Sequence, residues 1–218
     1  MSIYFIIAFI AYLLGSIPFG YILVRVFRGE DVRATGSGNI GATNVARKAP
    51  GLGIATLILD AAKGFAAVYM ALAIAHSRLN HFFPGYIDSY DVSPIVLMSL
   101  AAVFAILGHV FPLWLKFKGG KGVATGVGAF IALAPKAVLI VLVIFIAVVA
   151  AFRYISLASI VAAAAFPIFA WLLYRYQASP PVFAAMVCAS ALIIAKHHQN
   201  IRRLLAGTEH RFALKKSN

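Results

Sequence analysis

Long apolar runs separated by short polar segments make up most of the chain. The runs cover residues of about 2–24, 51–75, 94–115, 123–152, 156–174 and 181–195. Runs of this kind predict membrane-spanning helices, which need about 20 apolar residues. Gly15, Pro18 and Gly20 interrupt the first run and predict a bend near its inner end.

The fourth run, 123–152, is too long for one ordinary span. Its 30 residues would form a straight helix of about 45 Å, whereas the hydrocarbon core is about 30 Å thick. Either one helix tilts and protrudes, or two short helices meet at Pro135.

The distribution of basic residues decides between these alternatives. With two helices there are seven spans, and the basic residues at 25–48, 116–121 and 196–216 share one side with Arg153. Only Arg78, Lys136 and Arg175 fall on the other side. Lys and Arg gather in cytoplasmic loops. We therefore predict an all-α polytopic membrane protein with seven transmembrane helices, short fourth and fifth spans, an outside N-terminus and a cytoplasmic C-terminus.

Composition agrees with a polytopic membrane protein and excludes an ordinary soluble domain. Of the 218 residues, 63% are hydrophobic and 11% are charged, and the mean hydropathy is +0.94. The formal net charge of +13 suits anionic lipid headgroups. The basic residues are scattered between apolar spans, which argues against a nucleic-acid partner. Cys188 is the single cysteine, so we expect neither an intrachain disulfide nor a cysteine-cluster metal site.

The most polar interruption is the loop Thr35-Gly-Ser-Gly-Asn-Ile-Gly-Ala-Thr-Asn-Val-Ala-Arg47. Its glycines allow the backbone to approach a ligand closely, and the guanidinium of Arg47 suits a phosphate. On spacing alone, an ordinary connection between helices is the alternative interpretation. The candidate binding residues of this loop are Ser37, Gly38, Asn39, Thr43, Asn44 and Arg47.

Two later polar segments also suit phosphate. Lys118-Gly-Gly-Lys-Gly122 combines flexible backbone with two ammonium groups and leads into a helix start, which favours anions. It is not a Walker A loop, which would need Ser or Thr where Gly122 stands, and a basic turn at the headgroups is the alternative. Lys196-His-His-Gln-Asn-Ile-Arg-Arg-Leu204 places His197 and Asn200 on one face if it is helical. The adjacent histidines diverge on a helix, so we predict no metal site.

Ionisable residues also lie within the predicted spans. Asp60 and Lys63 are three residues apart on one helical face, and His109 lies near the end of the third span. Such groups are costly in a membrane and are commonly functional. The alternatives are a structural ion pair for the first two and a hydrogen-bonded structural role for His109. The polar segments are poor in carboxylates, so catalysis by paired acids is not expected.

These segments resemble a known family. Ser37–Arg47, then Gly108–Pro112 with Phe117–Ala124, then Lys196–Leu204 resemble the three motifs of the bacterial acyl-phosphate:glycerol-3-phosphate acyltransferases, the PlsY family. The resemblance covers essentially the whole chain. It implies a single integral membrane acyltransferase domain over 1–218, in the bacterial inner membrane, with its active site on the cytoplasmic face.

The resemblance implies transfer of a fatty acyl group from acyl phosphate to the 1-hydroxyl of glycerol 3-phosphate, giving lysophosphatidic acid and phosphate for phospholipid synthesis. It implies no cofactor and no metal. Membrane lipid and the enzyme that makes acyl phosphate are candidate partners. By motif, the catalytic residues are Ser37, Arg47, Lys121, His197 and Asn200. The resemblance adds Gly119, Gly120 and Gly122 to the substrate-binding residues of the first loop, and we assign structural support to Asp60, Lys63, His109 and Glu209.

Two mechanisms and one other function remain open from the sequence. Acyl phosphate is already activated, which favours direct attack by the glycerol 3-phosphate hydroxyl, and the alternative is an acylated Ser37. Asp60 and Lys63 also suit a transporter of phosphorylated solutes or lipids, although the polar segments gather at one membrane face rather than at the midplane. The acidic metal motif of CDP-alcohol phosphotransferases and the His-x4-Asp pattern of other acyltransferases are absent.

Overall fold

The computed structural model describes residues 3–76, 93–174 and 179–212, and all regular structure in these ranges is helical. Arg78, Arg175 and residues 215–216, which entered the charge argument, lie outside the described residues. The described residues include two short 3-10 helices, Val32–Ala34 and Leu113–Leu115. The α-helices are α1 (Ile3–Ser16), α2 (Phe19–Arg28), α3 (Ala42–Ala46), α4 (Pro50–His76), α5 (Pro94–Val110), α6 (Val123–Leu133), α7 (Pro135–Phe152), α8 (Ile155–Tyr174), α9 (Pro180–Ala195) and α10 (His198–Leu205).

The apolar helices follow the predicted spans. In the described ranges, α1 with α2, α4, α5 with the following 3-10 turn, α7 and α8 are each long and apolar enough to cross a membrane. The pair α9 and α10 passes the same criteria together but is bent by 54°. Pro18 separates α1 from α2, so the helix is broken where the bend was predicted, but the two helices together still form one candidate span.

Pro135 divides the run 123–152 into two helices, as the charge distribution predicted. α6 has 11 residues and is short, as expected. The prediction of a short fifth span is wrong, because α7 has 18 residues and is long enough to cross. The break lies near the start of the run, and this leaves most of the apolar sequence to α7. The count of seven spans and the orientation stay predictions.

Small residues bring the central helices close together. α5 packs against α1, α4 and α9, and α4 packs against α6. A Cβ atom at Gly15 would collide with the Ala105 backbone on α5, and one at Gly128 would collide with the Ala61 backbone on α4. Close packing of this kind is typical of membrane helices. It fixes the helix ends from which the polar loops extend.

Candidate active site

The loop before α4 is shaped by one buried side chain. The Asn44 amide donates hydrogen bonds to the carbonyl oxygens of Val32 (3.1 Å), Thr35 (3.0 Å) and Asn39 (2.8 Å). Its Oδ1 accepts the backbone N–H of Ser37 at 2.9 Å. Because the loop occupies both ends of the amide, Asn44 shapes the loop and has little left to offer a ligand.

The other candidate residues of this loop face outward. Ser37, Gly38, Thr43 and Arg47 are exposed. A Cβ atom at Gly36 would lie 3.2 Å from Arg47 Nη1, so the guanidinium lies against the Gly36 backbone. Arg47 is therefore both ordered by the loop and accessible to a phosphate.

The glycine-rich segment folds back along the end of α5. Lys116 and Phe117 adopt left-handed backbone conformations (φ 52° and 61°), which side chains rarely adopt. The reversal pairs Gly119 N–H with the Val110 carbonyl (3.2 Å) and Gly120 N–H with the His109 carbonyl (3.0 Å). The side-chain amide of Asn39 donates to the Gly119 carbonyl at 3.5 Å, so the first and second polar segments touch.

Gly122 is the N-cap of α6, again with positive φ (85°), and no side chain caps the helix there. The first N–H groups of α6 are therefore free to face a ligand, and the helix dipole favours an anion. Lys121 stands immediately before this helix start. The glycine-rich segment thus has the geometry of an anion site.

The electrostatic environment of Lys121 shows which charges surround it. Burial lowers the pKa of Lys121 to about 8, the Glu209 carboxylate partly opposes this, and the positive charges of Arg203 and Arg47 add to the lowering. Lys121 therefore lies within electrostatic reach of the first loop and of the C-terminal segment. Charged groups from all three predicted polar segments therefore act on its ammonium group.

His197 lies at the bend between α9 and α10 and is 2% exposed. Its Nδ1 is 2.8 Å from the Ile193 carbonyl oxygen. A carbonyl only accepts, so Nδ1 carries the hydrogen in the neutral ring and Nε2 is the acceptor. Asn200, one turn on, is also buried, whereas His198 is exposed, which confirms that the adjacent histidines diverge.

Glu209 ties the third segment to α8. One carboxylate oxygen accepts hydrogen bonds from Ser156 Oγ and Asn200 Nδ2, and the other accepts from Arg203 Nε, all at 2.6 Å. Burial alone would raise the pKa of Glu209, but these three hydrogen bonds outweigh it and lower the pKa. The Asn200 Oδ1 atom is buried and has no partner among the described residues. It remains available to a ligand hydroxyl.

The segment after α10 returns to the α7–α8 junction. Phe212 N–H donates to the Arg153 carbonyl at 2.6 Å, and Arg153 Nε donates to the Phe212 carbonyl at 3.1 Å. Sequence reasoning missed both Ser156 and Arg203 as residues of the site. The signal for Ser156 was a single hydroxyl in the first turn of an apolar span, directly after Arg153-Tyr154.

The predicted ion pair within α4 is present. Lys63 Nζ lies 2.8 Å from Asp60 Oδ1, and His109 Nδ1 on α5 lies 3.5 Å from the same oxygen. Lys63 also donates to the Ile17 carbonyl at the α1–α2 break (2.7 Å). These buried residues lie behind the glycine-rich segment.

An almost wholly apolar groove starts beside the polar residues. About 440 Å³ of empty space, part of it open to solvent, lies between α6, α7, α8 and α9. Val123, Gly126 and Ile193 line the end near Lys121, and Phe130 and Phe166 form a tilted aromatic pair (4.6 Å between ring centroids) deeper between the helices. The groove suits an unbranched apolar chain.

The helices and polar loops together define an integral membrane protein with a cluster of cationic side chains beside an apolar groove. A family model described as glycerol-3-phosphate acyltransferase matches residues 5–207. The chain belongs to that family, which is also the family of PlsY.

Relatives named glycerol-3-phosphate acyltransferase are similar along their whole length. The protein of Syntrophotalea carbinolica is 44% identical over 97% of this chain and 99% of its own. That of Trichlorobacter lovleyi is 46% identical over 93% and 94%. A crystal structure of PlsY (YgiH), an integral membrane glycerol 3-phosphate acyltransferase, in its glycerol 3-phosphate form has a TM-score of 0.79 and 36% identity, covering 96% of both chains. Its lysophosphatidic acid form has a TM-score of 0.76 and 35% identity, covering 96% and 95%.

Proposed function

We propose that this chain transfers a fatty acyl group from acyl phosphate to the 1-hydroxyl of glycerol 3-phosphate, releasing lysophosphatidic acid and inorganic phosphate. The observation that carries the proposal is the convergence of Arg47, Lys121 and the free start of α6 on a neutral histidine, beside an apolar groove. Two phosphorylated substrates need the cations, and an acyl tail needs the groove.

The phosphate of glycerol 3-phosphate binds, in this proposal, to the glycine-rich segment. Lys121 supplies a charge, and the backbone N–H groups at the start of α6 supply oriented donors. Arg47, exposed on the neighbouring loop, neutralises the phosphate of the acyl donor. The donor's tail lies in the groove, which opens near Gly126.

The acceptor hydroxyl then attacks the acyl carbonyl directly. The new bond joins O1 of glycerol 3-phosphate to the carbonyl carbon, and the bond from that carbon to the phosphate oxygen breaks. The hydroxyl proton passes to His197 Nε2 or to a phosphate oxygen of a substrate. His197 Nε2 orients the hydroxyl by accepting its hydrogen bond, and the remaining amide N–H of Asn200 stabilises the oxyanion.

An acylated Ser37 is the competing mechanism. A nucleophilic serine needs a base within hydrogen-bond reach, and the described contacts of Ser37 comprise only its backbone N–H to Asn44. Single-turnover reaction with labelled acyl phosphate, quenched and digested, tests this point. A stable acyl adduct on Ser37 would exclude direct attack.

The decisive assay follows phosphate release and lipid product from purified protein, with and without glycerol 3-phosphate. Both should depend on the acceptor. Arg47→Ala should lower kcat/KM by about 10²–10³-fold, the usual loss for one charge-stabilising donor. Lys48→Ala is the matched control, because Lys48 pairs with Glu30 on the surface (2.6 Å). If the protein instead moved a phosphorylated solute across vesicle membranes without chemical change, it would be a transporter and the proposed enzymatic function would be wrong.

We further propose seven spans, an outside N-terminus and a site on the cytoplasmic face of the inner membrane. The test is labelling by a membrane-impermeant thiol reagent in a Cys188→Ser background. Ser37→Cys should react only from the cytoplasmic side, and Lys136→Cys, at the start of α7, only from the outside. Labelling of both from one side would refute the topology.

A further inference from the structure

A buried charged cluster lies directly behind the glycine-rich segment. Asp60, Lys63 and His109 are each less than 5% exposed, yet they come from two different helices. The Lys63 ammonium also reaches the Ile17 carbonyl between α1 and α2. Asp60 Oδ1 is the common point, because both Lys63 Nζ (2.8 Å) and His109 Nδ1 (3.5 Å) face it.

Helix packing alone is a poor explanation for this cluster. Charged groups inside a membrane protein are costly, and well-packed apolar side chains of similar volume hold helices together as well or better. The same helices already pack closely through glycines elsewhere, as Gly128 does against Ala61. The cluster therefore calls for a role beyond attachment of α4 to α5.

His109 connects the cluster to the glycine-rich segment. Its Nδ1 faces Asp60, while its Nε2 lies on the other side of the ring, where a Cβ atom at Gly120 would collide with it. The His109 carbonyl also accepts the Gly120 N–H at 3.0 Å. Both the ring and the backbone of His109 thus support the residue that precedes Lys121.

The opposite side of the segment is held as well. Asn39 donates to the Gly119 carbonyl from the first loop, whereas a Cβ atom at Gly119 would collide with the His109 carbonyl and Pro112 at the end of α5. The segment is therefore fixed between the first loop above and the imidazole below. A shift of the imidazole has to move the backbone on which Lys121 stands.

We propose that Asp60, Lys63 and His109 are positioning residues, in which the ion pair orients the His109 ring and the ring sets the position of Gly120 and Lys121 for binding glycerol 3-phosphate. This inference rests on the proposed function of the segment. It assigns these residues an effect on the acceptor substrate in particular, because the acyl groove and Arg47 lie on other elements.

The test compares His109→Ala, Gly120→Ala and the double variant, with Ser99→Ala as the control. Ser99 is a buried polar residue of the same helix that bonds only locally, to the Val96 carbonyl (2.9 Å). Steady-state assays give kcat and the KM of each substrate, and thermal unfolding in detergent reports folding. Asp60→Asn, which keeps the side-chain shape, is measured alongside.

His109→Ala should raise the KM for glycerol 3-phosphate about tenfold, because the segment loses the imidazole that positions it, while the KM for acyl phosphate and the unfolding temperature stay near those of wild type. Asp60→Asn should show the same selectivity. Gly120→Ala should raise that KM about a hundredfold, because the methyl group displaces the segment. In the double variant the methyl group occupies the space left by the imidazole, so the KM should return to about the His109→Ala value.

Two results would overturn the inference. One is a double variant in which the rise in the KM for glycerol 3-phosphate equals the product of the two single rises, which means that His109 and Gly120 act independently. The other is an equal rise in both KM values together with a loss of unfolding temperature, which means a packing role. Failure of the proposed function itself is seen separately, as wild-type protein that forms no lysophosphatidic acid. In that case calorimetric binding of glycerol 3-phosphate to the same variants decides the inference, and absence of the predicted order of affinities refutes it.

Discussion

Alkaline pH should weaken the use of glycerol 3-phosphate, because it removes the proton from Lys121. Burial brings the pKa of this lysine down to about 8, whereas an ordinary lysine has a pKa of about 10.4. The protonated ammonium attracts the phosphate dianion and the neutral amine does not. The activity with glycerol 3-phosphate should therefore be kept below pH 8 and should decrease above it.

The size of the effect follows from the titration curve. With a pKa of about 8, the protonated fraction of Lys121 falls from about nine-tenths at pH 7 to about one-tenth at pH 9. The value of kcat/KM for glycerol 3-phosphate should therefore fall about tenfold over this interval and about tenfold for each further pH unit, because kcat/KM reports the free enzyme. An ordinary lysine would leave it almost constant to pH 9. The second pKa of a phosphate monoester is about 6, so the substrate itself does not titrate in this range.

The assay is initial-rate phosphate release between pH 7 and 9.5, corrected at each pH for spontaneous hydrolysis of acyl phosphate. Lys121→Arg keeps the positive charge throughout this range and should abolish the alkaline decrease, whatever its effect on the rate at pH 7. Lys118→Arg, in the same segment, should leave the decrease near pH 8. A flat wild-type profile to pH 9.5, or the same decrease in Lys121→Arg, would refute the assignment.

Three further predictions concern other parts of the site. Glu209→Ala should lower the free energy of unfolding by about 2 kcal/mol, because three hydrogen bonds of about 1 kcal/mol each are lost and partial solvent access reduces their sum. The unfolding temperature should therefore fall by about 5 °C. Glu30→Ala, which removes one member of an exposed ion pair, is the control and should leave the unfolding temperature unchanged. Asn44→Ala frees four backbone partners of the first loop and should lower kcat/KM about a hundredfold, so activity within twofold of wild type would contradict its shaping role. Phe166→Ala should extend the apolar groove and raise the preference for longer acyl phosphates about tenfold in competition assays. Phe152 is exposed, so Phe152→Ala is the control. An equal change of preference in Phe152→Ala would show that the groove does not set the acyl chain length.

The main features of the fold were predictable because membrane helices obey a simple length rule. The apolar runs gave the starts of α5, α8 and α9 to within one residue. Pro18 and Pro135 marked breaks, since proline cannot donate to the preceding helical turn. The length of α7 was missed because the 30-residue run divides unequally at Pro135, which leaves 18 residues to the second helix.

The site was predictable where its residues are contiguous in sequence and not where they are distant. Arg47, Lys121 and His197 stand in recognisable polar segments. Ser156 stands in an apolar helix, 53 residues before the carboxylate that it contacts, and no local pattern reveals such a pair. Arg203 was missed because only folding brings Glu209 to its guanidinium (2.6 Å).

The hydrogen bond from Ser156 to Glu209 joins two residues that are synthesised at different times. Glu209 is made 53 residues after Ser156, about 3–10 s later at ordinary rates of synthesis. Until then, Asn200 and Arg203 lack the carboxylate that orders them, although both glycine-containing loops and most helices have already left the ribosome. The contacts that Glu209 makes with Ser156, Asn200 and Arg203 therefore form only after the helices that carry these residues have been made.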